Sequence, residues 1–220
     1  MKKLTLKHRN SFVRSTMTLA AVALLSVFFT SCPKDDKEPD GYAVTAEDVE
    51  GGSSSIKTVK AILDGDDLAE GAYKNDGFTV TLPVPKSSYY EEILDGVGVE
   101  GCMLDGFYAY DDDDDEIGEF LHAKLSDDGD TFTMAFYIYV DEDLEIDESD
   151  EYFDIYISAK KGWTILYVIS DDEDLEEGTF TTKKQSDLRW IYSSNSTRAG
   201  NASSMRAAAA EKIKNLLKQY

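Results

Sequence analysis

Between Thr131 and Val140 the chain alternates residue by residue. Phe132, Met134, Phe136, Ile138 and Val140 fall on one side of an extended segment, and Thr131, Thr133, Ala135, Tyr137 and Tyr139 on the other. Successive side chains of a strand point to opposite faces, so this period of two predicts a strand with one buried and one wet face. Tyr152–Ala159 repeats the pattern, with Phe153, Ile155, Ile157 and Ala159 set against Tyr152, Asp154, Tyr156 and Ser158. Shorter stretches of the same kind predict strands at Ile56–Leu63, Phe78–Leu82, Phe107–Tyr110, Ile117–Leu125, Trp163–Ser170, Gly178–Thr182 and Leu188–Tyr192. Pro83 and Pro85 end the second of these, because proline has no N–H to give a ladder. Asp67–Tyr73 is read as one helical turn. Nine short strands between turn signals predict an all-β domain over residues 56–192, an antiparallel β-sandwich or barrel.

The flanks follow different rules. Residues 1–31 carry five basic side chains and no acidic one, and enclose the apolar run Met17–Phe29. That run makes about 20 Å of helix, short of the ~30 Å hydrocarbon core of a bilayer. A basic start, a short apolar stretch and small residues before a break describe a secretory signal peptide over 1–31. Residues 32–55 hold Pro33, Pro39, Gly41, Gly51, Gly52 and three consecutive serines, which predicts a flexible tether. Residues 193–220 begin as a polar linker. They end in Met205–Tyr220, whose Ala209, Ile213, Leu216, Leu217 and Tyr220 share one face of a predicted basic amphipathic helix.

Charge sharpens this division. The chain of 220 residues has a net charge of -22, and residues 34–182 carry 42 acidic against nine basic side chains. Nucleic acid is excluded as a partner, since each phosphate contact needs Lys or Arg. The C-terminal 38 residues, 183–220, reverse the sign with eight basic and two acidic side chains. Such a helix needs a surface, which its own acidic domain, an anionic membrane or a partner protein would supply.

Phe29-Thr30-Ser31-Cys32 resembles a bacterial lipobox, with Phe29 where leucine is usual. The following Pro33-Lys34-Asp35-Asp36-Lys37-Glu38 is similar to the acidic export signal of Bacteroides-type surface lipoproteins. The resemblance implies lipid attachment at Cys32, membrane anchoring through the N-terminal lipid, and an outer-membrane, surface-exposed location in the bacterial cell envelope. Ala72–Pro83, Lys160-Lys161-Gly162-Trp163 and Leu188–Tyr192 also resemble small lipoproteins of this type. That likeness implies a β-sandwich domain and carries no activity.

Candidate chemistry lies in the loops. If Phe107–Thr182 runs as an antiparallel meander, alternate loops gather at one end. Asp111–Glu116, Asp141–Glu151 and Asp171–Glu177 would then bring six, eight and six carboxylates to a single pole. Clustered oxygens suit Ca²⁺, which takes six to eight of them, and Asp111, Asp113, Asp115, Asp141, Asp143 and Asp171 are the candidate ligands. No loop has the EF-hand pattern, and the plainer reading is a solvated acidic surface. Tyr137, Tyr139, Tyr152 and Tyr156 fall on the predicted wet faces of two strands expected to pair. They form a candidate platform for a glycan or a surface protein, unless a second sheet covers them.

Catalytic signals are sparse. His122 is the one histidine after the signal peptide and is read as a lone surface residue; Cys102 is read as a small buried hydrophobe. Trp163 and Trp190 are read as core anchors. The expectation is a non-enzymatic, lipid-anchored binding or interaction module, with a possible need for Ca²⁺. The alternatives are a structural or accessory subunit of a surface assembly acting through the C-terminal helix, and a carboxylate-based glycoside hydrolase. For the last, no acidic pair stands out from so many.

Overall fold

The structure, a computed structural model, describes residues 41–92, 98–125, 131–149, 151–171 and 177–194. The segments expected as signal peptide and C-terminal helix, and Cys32, lie outside the described residues. Those described are almost entirely β, as the alternation requires. In chain order the strands are β1 (Tyr42–Ala46), β2 (Thr58–Leu63), β3 (Asp66–Ala72), β4 (Phe78–Leu82), β5 (Glu91–Glu92), β6 (Glu100–Met103) and β7 (Gly106–Tyr110). They continue with β8 (Glu116–Leu125), β9 (Phe132–Val140), β10 (Leu144–Ser149), β11 (Phe153–Ala159), β12 (Gly162–Ser170), β13 (Gly178–Thr181) and β14 (Arg189–Ser194). A single 3₁₀ turn, Ser87–Tyr89, precedes β5.

All nine expected strands are present, displaced at their ends by at most two residues. Five more were not expected. Asp66–Ala72 is a strand rather than a helical turn, because Asp64-Gly65 takes φ of 53° and 78° and folds it back on β2 as a two-residue hairpin. Tyr42–Ala46, in the expected tether, pairs with β4 from Tyr42↔Leu82 to Ala46↔Phe78. Glu50 adds backbone bonds to Trp190 and Tyr192 of β14. The folded unit therefore begins ahead of Ile56. Leu144–Ser149, expected to be loop, is the strand β10.

The meander is not what forms. One path of hydrogen-bonded neighbours runs β10-β11-β13-β12-β9-β8-β7-β2-β3, with β14 on β8 and β6 on β9. β9 pairs with β12 over nine residues, Gly162↔Val140 to Ser170↔Phe132, and not with β11. β13 lies between β11 and β12, parallel to the first and antiparallel to the second. β8 joins the two halves. Its residues 116–120 pair with β7, its last three with β9, and residues 118–123 with β14.

Two hydrophobic cores result. The first takes the Phe132, Met134, Phe136, Ile138 and Val140 face of β9, with Leu144, Phe153, Ile155, Ile157, Leu166, Val168 and Phe180. The second takes β1, β2, β4, β7, β8 and β14 and includes Tyr137 from the opposite face of β9. At its centre Phe78 lies 4.9 Å from Phe120, 5.1 Å from Trp190 and 5.8 Å from Phe107, ring centre to ring centre. Trp163 and Trp190 both sit in this second core, Trp163 at its margin, where its indole N–H donates to the Pro83 carbonyl at 2.7 Å.

His122 is not the surface residue expected. It shares a face of β8 with Phe120, which is buried, and its imidazole lies flat on Trp190 at 4.6 Å and 5°. Its Nδ1 is buried without a hydrogen-bond partner among the described residues. Burial therefore holds the imidazole neutral, pushing its pKa from 6.5 down to about 4. The fold favours the neutral form, so the stabilisation is complete above about pH 6.5 and drains away as pH falls towards 4. The full shift would be worth about 3 kcal/mol, which partial exposure reduces to about 2 kcal/mol. Wild type should lose about that much more stability than His122→Phe between pH 7 and pH 4, measured by urea unfolding; parallel pH profiles would refute the assignment.

Candidate functional site

The strand pattern of β11 places Asp154, Tyr156 and Ser158 outward, with exposed Tyr152 just ahead of the strand, while Phe153, Ile155, Ile157 and Ala159 anchor the first core. Tyr152 and Tyr156 are 56% and 45% exposed, two of only three large hydrophobic side chains so exposed among the described residues. The register with β10 sets Asp147 beside Tyr156, Glu145 beside Ser158 and Ser149 beside Asp154. On the other edge Thr179 and Thr181 of β13 flank Asp154 and Tyr156. The Ser149 hydroxyl donates to Asp154. The outward face is thus two phenol rings set among hydroxyls and carboxylates.

At its lower end this face opens into a cleft of about 380 Å³, lined by Thr131, Glu151, Tyr152, Asp154, Asp171, Glu177 and neighbouring residues. Three chain segments meet there. The Gly178 N–H donates to the Tyr152 carbonyl at 3.0 Å, and the Ser170 hydroxyl donates to the Glu177 carbonyl at 2.7 Å. Gly178 is required by this approach, since a Cβ would stand 2.7 Å from the Ile169 carbonyl oxygen.

The four expected platform tyrosines are therefore divided. Tyr156 on β11 and Tyr152 just before it are exposed, whereas Tyr137 and Tyr139 are buried, 5% and 3% exposed. The face of β9 expected to be wet is covered by a second layer. Tyr137 meets Phe107 edge to face at 5.3 Å, and Tyr139 stacks on Tyr90 at 5.4 Å.

The single acidic pole is also corrected. β12 runs opposite to β9, so Asp171 leaves the sheet at the end opposite Asp141. Residues 141–143 stay at the β9 end, and β10 then carries the chain to the other end before Glu151. Asp111, Asp113 and Asp115 lie in the β7–β8 loop at the first end, where Asp111 Oδ1 accepts from the N–H groups of Asp113 at 3.0 Å and Asp115 at 3.1 Å. Asp114 completes this turn in the left-handed region, at φ 62°. Asp141 Oδ1 accepts from the Glu100 N–H at 2.8 Å. Asp143 pairs with Lys160 at 2.6 Å and accepts from the Lys161 N–H at 3.0 Å; these bonds hold its carboxyl below the usual range. Asp111 closes its own turn, Asp141 ties the end of β9 to β6, and Asp143 ties its loop to the β11–β12 turn. Among the described residues, no three His, Cys, Asp or Glu side chains gather in a geometry able to hold a metal ion.

Two features of the structure had no sequence signal. The cleft depends on β13 docking beside β11, a pairing between segments far apart in the reading of the strand pattern. Lys60 is the other. Only 8% exposed, it forms ion pairs with Asp67 at 3.1 Å and Asp114 at 2.8 Å, and its ammonium sits 4.2 Å from the centre of the Tyr110 ring. The two carboxylates raise its pKa further above the lysine range. The cation is buried and its anions are wet, with side chains 59% and 71% exposed. Removing the anions strands a buried charge, whereas removing the cation merely returns two carboxylates to water. Asp67→Asn with Asp114→Asn should therefore cost about 3 kcal/mol and Lys60→Met about 1 kcal/mol or less in chemical denaturation. The reverse order would show that Lys60 contributes by packing alone.

Compared with protein-family models, with curated proteins and with solved structures, the chain matches none.

Proposed function

We propose that this chain is a lipid-anchored, non-enzymatic domain of the bacterial cell envelope that binds a saccharide on the outward face of β11. The observation that carries the reading is the pair of exposed tyrosines, Tyr152 and Tyr156, on either side of Asp154 and next to the cleft of about 380 Å³. A sugar ring offers C–H bonds on its faces and hydroxyls around its edge. Phenol rings meet the first by stacking, and carboxylates, threonines and serines meet the second by hydrogen bonding. Pocket sites that bind small molecules combine these two kinds of contact in the same way.

Binding is favoured over catalysis by how the reactive side chains are used. His122 is held neutral against Trp190, and burial pushes the Cys102 thiol up to about 12. Neither is poised as a base or nucleophile near neutral pH. The envelope location is supported by the basic start, the apolar run and Cys32. Two or three acyl chains on that cysteine would anchor the domain stably, at about 0.8 kcal/mol per buried methylene.

A glycan array probed with the full chain in detergent should give hits that Tyr152→Ala and Tyr156→Ala each weaken about tenfold, about 1.4 kcal/mol. EDTA should leave the hits unchanged. An array without hits, or hits indifferent to both substitutions, would remove the tyrosine platform. Labelled palmitate should enter the wild-type chain and not Cys32→Ala; label retained by the variant would refute lipid attachment at that residue.

A further inference from the structure

We infer that the β11 face takes a linear oligosaccharide of at least three rings, laid along the strand, and not a single sugar. The inference rests on the saccharide reading above and adds to it the size and shape of the ligand. Charge does not select that ligand, because the face carries both signs. Asp147 and Asp154 lie on β10 and β11, and exposed Lys183 and Lys184 follow β13 beside Tyr156 and Ser158. Spacing does the selecting.

The Tyr152 carbonyl accepts the Gly178 N–H at 3.0 Å, so the ladder with β13 already includes the peptide that follows Tyr152. The backbone from Tyr152 to Tyr156 is therefore extended, and at about 3.3 Å per residue the two lie roughly 13 Å apart along it. Carbon atoms in contact are about 3.5–4.0 Å apart, so one sugar ring held between two phenols needs them within about 8 Å. The tyrosines are thus two separate stacking positions, with room for a further ring between them. What lies between is polar. Asp154 stands midway, with Ser149 of β10 on one side of it and Thr179 of β13 on the other. Two hydroxyls and a carboxylate suit the edge of a sugar, where its own hydroxyls are, and not its face. The order along β11 is ring, hydrogen-bonding row, ring, which fits three consecutive units of an unbranched chain. The cleft beside Tyr152, at about 380 Å³, is close to the lower bound of ligand pockets, roughly 300 Å³, and holds one end of such a chain. Past Tyr156 the face stays open at exposed Ser158, so longer chains fit as well. A chain that reaches both rings makes its second contact within one complex, which raises affinity above that of either ring alone.

Calorimetric titration of the full chain in detergent compares the monomer, dimer, trimer and hexamer of β-1,4-linked glucose, xylose and mannose and of α-1,4-linked glucose. In a series that binds, the trimer should bind at least about tenfold more tightly than the dimer, and the hexamer little more tightly than the trimer. Tyr152→Ala and Tyr156→Ala should each erase the step from dimer to trimer. The dimer, which can use the other ring, should stay close to its wild-type affinity in both. Equal affinity for monomer, dimer and trimer, or a step that survives both substitutions, would overturn the chain inference and leave the saccharide reading standing. If none of the four series binds, the glycan array decides. Hits confined to single sugars or to the tips of branched glycans overturn the chain inference alone, and hits among other linear chains uphold it. An array without hits defeats the saccharide reading itself.

Discussion

Strand β9 has no wet face. Its Phe132-to-Val140 side lies in one core and Tyr137 in the other, while its nine-residue ladder with β12 and its contacts with β8 and β6 occupy both edges. Burying a strand on both faces removes far more apolar area from water than burying one, at about 25 cal/mol per Å². It also forces every other strand into position around it. β8 feels the same constraint, with Phe120 and His122 facing the Trp190 core and Leu121 buried on the reverse. The flattened stack of His122 on Trp190 and the neutrality of its imidazole both follow from that double burial.

The arrangement of charge follows from the same ladder. Because β12 returns antiparallel beside β9, the acidic loops are divided between the two ends of the sheet, residues 111–115 and 141–143 at one and Glu151 and Asp171 at the other. Crowding 20 carboxylates at one pole would have raised its electrostatic repulsion; dividing them lowers it. Several carboxylates also have local work. Asp111 and Asp141 accept backbone N–H groups that would otherwise be unsatisfied at the loop ends, and Asp143 ties the β11–β12 turn to the start of β10. β10 is a strand edge whose outward side carries Glu145 and Asp147, a charged margin that discourages edge-to-edge pairing with another chain.

The exposed tyrosines gain meaning from what is buried around them. Four tyrosines satisfy the same rule of alternation, yet two are packed against Phe107 and Tyr90 and two face outward. Aromatic rings left exposed beside a cleft, in a domain that buries most of its other rings, are a surface with a cost and so with a use. Their neighbours set its character: acidic on the β10 side, hydroxyl-bearing on the β13 side, and open at the end where β13 wedges in.

The amino-acid sequence by itself determined the class of fold, the nine principal strands and the inward side of β11. Each of these depends on side chains alternating within one segment, and that is local. It also determined the division into a basic start, an acidic middle and a basic end, since formal charge does not depend on folding. The tertiary structure decided which strands are neighbours, and with it the fate of Tyr137, Tyr139 and His122, the division of the acidic loops and the existence of the cleft. Alternation says that a strand has two faces but not how many layers will cover them. Nor does it say whether a hairpin stays closed or opens to admit a third strand, as β11 and β12 do for β13. Those outcomes belong to the competition among all the apolar faces for the same two cores.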